Sequence, residues 1–404
     1  MKFLRSCKIK IMDKRAVKKV CAFLGLYLSL ALPSLGQVQK YFGTTGIFLY
    51  ATSLALVLFV IYRYWLNRLL LRMTDRQASC FAVLTILCLV VIFFIVYPKV
   101  NAGMGRSGSD RDEEANIAAS ELLQLRYPYY QKTYLGNSMT RFPGAILLSV
   151  PFVLLGNSAF QNFFWLFIFF VVMASFLKNR RLALFLFWIM LFSSPVVMHE
   201  FLTGGDLLAN TIYILTFIFF MVRSICQAET KTAKRVLAAV LLGIGLSSRT
   251  NFILLLLPVF SLLVQNAGWR QTAKYIGLVG FAFLAVTLPF YLYDPSGFSP
   301  LYWQFNKINR FCHILPFSGI VVGSLGIIIA LVLSFQRLRC DCVSLFRNCA
   351  FVQFFLVLSA VILNIIAEAK LNFISSGMGM SFLFFGAPAF WYLFTQNMPL
   401  QKRS

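Results

Sequence analysis

The stretch CFAVLTILCLVVIFFIVY, Cys80 to Tyr97, runs for 18 residues without one charged side chain. A helix rises 1.5 Å per residue, so about 18–20 such residues cross a hydrocarbon core roughly 30 Å thick. Working outward, Phe160 to Leu177 and Ile314 to Phe335 read the same way. The whole chain is 59% hydrophobic and 12% charged, where a soluble domain carries about 25% charged residues. These runs predict an all-α polytopic membrane protein, one multi-pass domain over 1–404, embedded in a lipid bilayer. Spans are expected at 20–36, 44–63, 78–98, 160–177, 182–198, 207–225, 236–248, 252–264, 275–292, 314–335, 350–367 and 373–395, bounded by polar breaks.

The 37 Lys and Arg against 13 Asp and Glu give a net charge of +24. The basic residues cluster in short segments between spans, as the retention of Lys and Arg on the cytoplasmic side dictates, so no nucleic-acid partner is inferred. The tail 1–19 is basic and precedes an apolar stretch with no small-residue cleavage site, and is read as cytoplasmic before a retained first span. The segments 63–76, 178–181, 223–235, 270–274, 337–347 and 402–403 then all return inside, provided 142–156 does not cross. That segment is short and holds Pro143 and Pro151, which fits an interfacial or re-entrant helix. The nine cysteines include Cys340, Cys342 and Cys349 in an inner loop. Their spacing fits no zinc pattern, so no metal site is assigned.

The expected outer side gathers the remaining chemistry. The loop 99–141 holds Asp110, Asp112, Glu113, Glu114 and Glu121, with Tyr127, Tyr129, Tyr130, Tyr134 and Asn137. The next outer loop adds His199, Glu200 and Asp206, and the outer loop 291–313 adds Lys307, Arg310 and His313. A carboxylate at the bilayer surface suits a general base. A fixed Arg or Lys there suits a lipid phosphate. Arg249 interrupts a long apolar stretch at an expensive depth, which points to an anionic partner. The same polar groups also fit water-facing acids and an interfacial aromatic belt.

The run Gly108-Ser109-Asp110-Arg111-Asp112-Glu113-Glu114, followed by Ala118-Ala119, Leu122-Leu123 and Tyr127-Pro128-Tyr129-Tyr130, resembles the first outer loop of GT-C fold membrane glycosyltransferases. Arg141-Phe142-Pro143-Gly144-Ala145 to Gly156 resembles the Pro-rich apolar segment after it, and Gly204-Gly205-Asp206 resembles the second outer loop. Leu288-Pro289-Phe290 through Asp294-Pro295 resembles a later segment of polyprenyl-phosphate-sugar mannosyltransferases. Together these cover about residues 100–310. The resemblance implies a GT-C-like fold in a bacterial inner (plasma) membrane. It implies sugar transfer from a polyprenyl-phosphate donor to an unidentified acceptor on the outer face. In that reading Asp112 or Asp110 is the catalytic base. Arg249, with Lys307 and Arg310, binds the donor phosphate, Asp206 orients substrate or the arginine, and Glu113, His199 and Tyr129 orient substrate. No cofactor is required by this chemistry. The competing expectation is a transporter or flippase of a lipid-linked or anionic solute, which places charges on broken helices.

Overall fold

The computed structural model describes residues 14–65, 72–101, 110–227, 229–302, 309, 311–335 and 341–396. Among them the regular structure is helical, apart from one isolated antiparallel bridge between Lys132 and Ser138. In chain order the helices are α1 (Lys14–Val60), α2 (Asp75–Val100), α3 (Arg111–Leu123), α4 (Pro143–Leu154), α5 (Gln161–Leu177), α6 (Arg180–Ser193) and α7 (Pro195–Leu202). There follow α8 (Leu207–Cys226), α9 (Thr232–Leu246), α10 (Leu256–Ala267), α11 (Trp269–Tyr293), α12 (Ser318–Ser334), α13 (Cys342–Glu368) and α14 (Met380–Thr395).

Eight helical stretches are long and apolar enough to cross a membrane, nine if the bent pair α6–α7 counts as one. Side chains along α2 such as Leu84, Leu87, Val91 and Phe94 are more than half exposed, as a lipid-facing surface requires. The protein is therefore a multi-pass helical membrane protein. Each apolar run expected from the sequence falls largely on helix, but α6, α9 and α12 have 14, 15 and 17 residues and do not reach crossing length alone, and α10, with 12, reaches it only together with the short helical turn Thr250–Ile253 before it.

α1 breaks at Gly43 (φ 65°, ψ −167°). A straight helix of its 47 residues would be about 70 Å long, over twice a hydrocarbon core. Instead the chain folds back. Tyr27 Oη donates to Ala51 O at 3.2 Å and Tyr50 Oη to Leu30 O at 3.3 Å, so the two arms lie side by side and match the expected spans 20–36 and 44–63. α2 opens on a capping box in which Thr74 Oγ1 accepts from Gln77 N and the Gln77 side chain accepts from Thr74 N.

The expected span 182–198 needs correction. The apolar run is continuous, but Pro195 stands at the first position of α7, and α6 and α7 meet at 80°. Proline lacks the N–H that would extend α6 and its ring blocks the preceding turn, so the helix restarts in a new direction. This turn takes His199 and Glu200 out of the line of α6. α4, at 12 residues, is about 18 Å long and too short to cross alone, a length that suits an interfacial or a re-entrant helix alike.

Contacts give the bundle two unlike ends. At one, Arg181 pairs with Asp75, Arg180 reaches Ser79, and Arg223 reaches Ser175. The basic linkers therefore meet there. At the other, α3, α4, α7 and the start of α8 surround the α9–α10 junction, and this end holds most of the acidic residues.

Candidate functional site

The site is assembled where four separated segments meet. Asp206 lies at the N-terminal end of α8, its side chain 2% exposed. Its Oδ2 accepts from Arg141 Nη1 at 2.9 Å, from Arg249 Nη2 at 2.9 Å and from Asn210 Nδ2 at 2.7 Å. Burial alone would raise the Asp206 carboxyl, but the guanidiniums of Arg141, Arg249 and Arg111 outweigh it and hold the group well below the ordinary carboxylate range. The partner that the sequence demanded for Arg249 is thus internal: Asp206 offsets the charge. The Arg249 side chain remains 23% exposed, so Asp206 does not enclose it completely, while its buried Nε has no hydrogen-bond partner.

Around this junction stand two further acid–base links. Glu114 accepts from the backbone N–H of Thr140 and Arg141 and lies 3.8 Å from Arg141 Nε. Arg111 Nη1 donates to Glu200 Oε1 at 2.6 Å, and Arg141 also donates to Arg111 O. Three guanidiniums and the carboxylates of Glu114, Glu200 and Asp206 form one connected network. Charges this buried persist because each has a partner; removing one would leave another uncompensated.

Asp112 borders the network from α3. It is 7% exposed and its Oδ2 accepts from Tyr97 Oη at 2.5 Å, while Asn157 Nδ2 donates to the same tyrosine oxygen at 2.9 Å. Burial raises the Asp112 carboxyl; Tyr97, the backbone N–H groups at the start of α3 and Arg141 pull it back without cancelling the shift. The result is a carboxylate with a stronger hold on a proton than usual, as a base operating near neutral pH needs.

Two local devices set this geometry. Gly204 has φ 71°, and a Cβ there would lie 2.8 Å from Ala159 Cβ and 3.1 Å from Asp112 Cβ. The glycine lets the chain turn into α8 while its backbone passes close against Asp112. In α4, Gly144 N donates to Ser247 O at 3.0 Å and to Ser247 Oγ at 3.1 Å. This docks the start of α4 on the end of α9, so Arg141 and Arg249 reach the same oxygen of one carboxylate from two different segments.

The other residues singled out from the sequence fall differently. Asp110 accepts from Thr133 Oγ1 and Asn137 Nδ2, both at 2.8 Å. Glu113 accepts from Tyr134 N at 3.3 Å. Both tie α3 to the following loop and neither pairs with the arginines. Tyr129 is buried and donates to Arg141 O at 3.0 Å, so it supports the backbone of a network member. His199 neighbours Glu200 on α7, but its ring lies 6.1 Å from that of Tyr41, and neither nitrogen has a hydrogen-bond partner. Lys307 and Arg310 lie outside the described residues. Among the described residues no group of three His, Cys, Asp or Glu side chains could hold a metal ion. Sequence reasoning did not single out Arg111, Glu114 and Arg141 as site residues. Arg141 had a visible signal, a cation directly before the apolar Phe142-Pro143-Gly144 segment, much as Arg249 interrupts its own apolar stretch.

No family model, curated protein or solved structure matches the chain.

Proposed function

We propose that the chain is a GT-C-like membrane glycosyltransferase that moves a sugar from a polyprenyl-phosphate donor to an acceptor at the outer membrane face. The observation that supports this most is the meeting of partly open Arg249 with buried Asp206, beside a buried Asp112 whose carboxyl is raised. In this reading the twelve apolar segments are twelve crossings and the N-terminus is cytoplasmic. The membrane is a bacterial inner membrane, and α3 and α4 lie along its outer surface. The acceptor oxygen attacks the anomeric carbon, and the bond from that carbon to the donor phosphate oxygen breaks. The hydroxyl proton passes to Asp112. The lipid phosphate leaves with its charge against Arg249, which Asp206 holds in place from the opposite side. Attack opposite the leaving phosphate inverts the sugar.

The test incubates the purified full-length chain with polyprenyl-phosphate mannose and membrane extract as the source of acceptor. The readouts are free polyprenyl phosphate and glycosylated product. Asp112→Asn, which preserves shape and neutralises charge, is expected to lower transfer by roughly 10²–10⁴-fold at unchanged folded yield. Because burial raises the Asp112 carboxyl above its ordinary 3.8, the wild-type rate should fall on acidification through a value above that one. Arg249→Lys should keep weak donor binding and Arg249→Gln should lose more, since the ammonium retains charge without the planar fork. The paired charges at the broken α9–α10 junction also suit a transporter or flippase of lipid-linked solutes. Intact donor moved between leaflets in an Arg249-dependent way, with no sugar transfer, would establish that reading instead.

A further inference from the structure

At the basic end of the bundle a cleft of about 610 Å³ opens between α2 and the α5–α6 turn. Its wall is apolar and faces outward: Val83, Phe167 and Val171 are 46%, 42% and 46% exposed. Its rim is polar and cationic. Arg180 Nη1 donates to Ser79 Oγ at 3.2 Å, and neither Arg180 nor Lys178 pairs with a carboxylate among the described residues. The acid in the lining, Asp75, is already engaged by Arg181 at 3.3 Å. Lys178 closes α5 in the left-handed conformation (φ 50°) and lines the cleft with its side chain exposed. α6 begins at Arg180, and Asn179 Oδ1 caps it by accepting from Leu182 N at 3.1 Å.

We infer that this cleft binds an acidic phospholipid, with the phosphate at Lys178 and Arg180 and the first part of an acyl chain along Val83, Phe167 and Val171. The volume lies within the range of small-molecule pockets, about 300–1,000 Å³. The apolar wall is continuous with the outward face of α2, so a lipid enters sideways, and a free anion would leave that wall uncovered. Among the described residues no carboxylate pairs with the two cations, so the occupant carries the negative charge. The site is at the end of the bundle away from Asp206 and stands independently of the proposed reaction.

Native mass spectrometry of the full-length chain in detergent, titrated with dioleoylphosphatidylglycerol or dioleoylphosphatidylcholine, tests this. The phosphatidylglycerol should be retained in preference to the phosphatidylcholine, with inorganic phosphate in excess failing to displace it. The double variant K178Q/R180Q should bind phosphatidylglycerol roughly thirtyfold more weakly, the effect of removing two basic charges at an anionic surface. A174W keeps both charges but fills the cleft, and should also lose the lipid while eluting as folded protein. Equal retention of the two lipids, unchanged retention in either variant, or displacement by inorganic phosphate would overturn the assignment.

Discussion

Asp206 decides more than any other single residue, because two guanidiniums depend on one of its oxygens. Asp206→Asn leaves Arg141, 3% exposed, without its nearest carboxylate. Breaking a buried pair from one side costs about 3–5 kcal/mol, so this variant should lose most of its folded yield in detergent, read by size-exclusion chromatography. Arg249→Gln should cost less, because Arg141 still neutralises Asp206, and this makes it the better probe of function. The pH dependence has a definite sign. The Asp206 carboxyl is depressed below its ordinary 3.8, so its stabilisation is fully present above that value and is lost as pH falls below it toward the folded-state value. The thermal midpoint should therefore show a loss on acidification below pH ~4 that is weaker in Asp206→Asn; an identical acid limb in both proteins would assign the loss to other carboxylates. The sequence showed that Arg249 needed an anion, since a charge within an apolar stretch is costly. It offered the donor phosphate, with Asp206 orienting substrate or the arginine, and did not show that Asp206 pairs with Arg249 directly. Asp206 is 43 positions away, and only the docking of α4, α8 and α9 brings the two together.

At the scale of elements, apolar composition made the helices legible and backbone chemistry set their breaks. Each expected span falls largely on helix, 182–198 with a sharp bend, because long uncharged runs have few alternatives in lipid. The α6–α7 bend was hidden because the apolar run continues through Ser194-Pro195, and hydropathy does not register a missing N–H. The junction of α4 with α9 was equally hidden, as it rests on a close backbone approach. A Cβ at Gly144 would fall within 2.8 Å of the Ser247 carbonyl carbon and nearer still to Ile244 O. Forcing a group into a packed contact costs about 1–3 kcal/mol. Gly144→Ala should destabilise by that amount and separate Arg141 from Arg249, so transfer should fall further than stability alone explains. Gly280→Ala in α11 is the control: nothing lies within 4 Å of its added Cβ, so it should be neutral or slightly stabilising. Equal effects of the two substitutions on thermal unfolding in detergent would remove the close-approach explanation.

The whole molecule is polarised end to end, and that polarity ties the site to one face of the membrane. Helix α2 has 26 residues, about 39 Å, enough to cross a ~30 Å core and emerge on both sides. Asp75 at its start pairs with Arg181, while Tyr97 near its other end bonds Asp112. The basic turns and the carboxylate network are therefore separated by the full length of a crossing helix. The helices between them run alternately: α5 away from the network, α6 back toward it, and α8 away again, from Asp206 to the Arg223 end. The proposed orientation keeps the basic linkers on the cytoplasmic side and so puts the network outside. Single cysteines at Ser120→Cys on α3 and Thr230→Cys beside α9, in a background without native cysteines, read this directly. A membrane-impermeant maleimide applied to intact cells should label Ser120→Cys alone, and Thr230→Cys should react only after the membrane is opened. Labelling of both from the same side would break the alternation and place the arginines and carboxylates out of reach of a donor on the outer leaflet. Reversed labelling would keep the bundle as described but turn the site inward, where a lipid-linked donor would have to be supplied from the cytoplasmic leaflet.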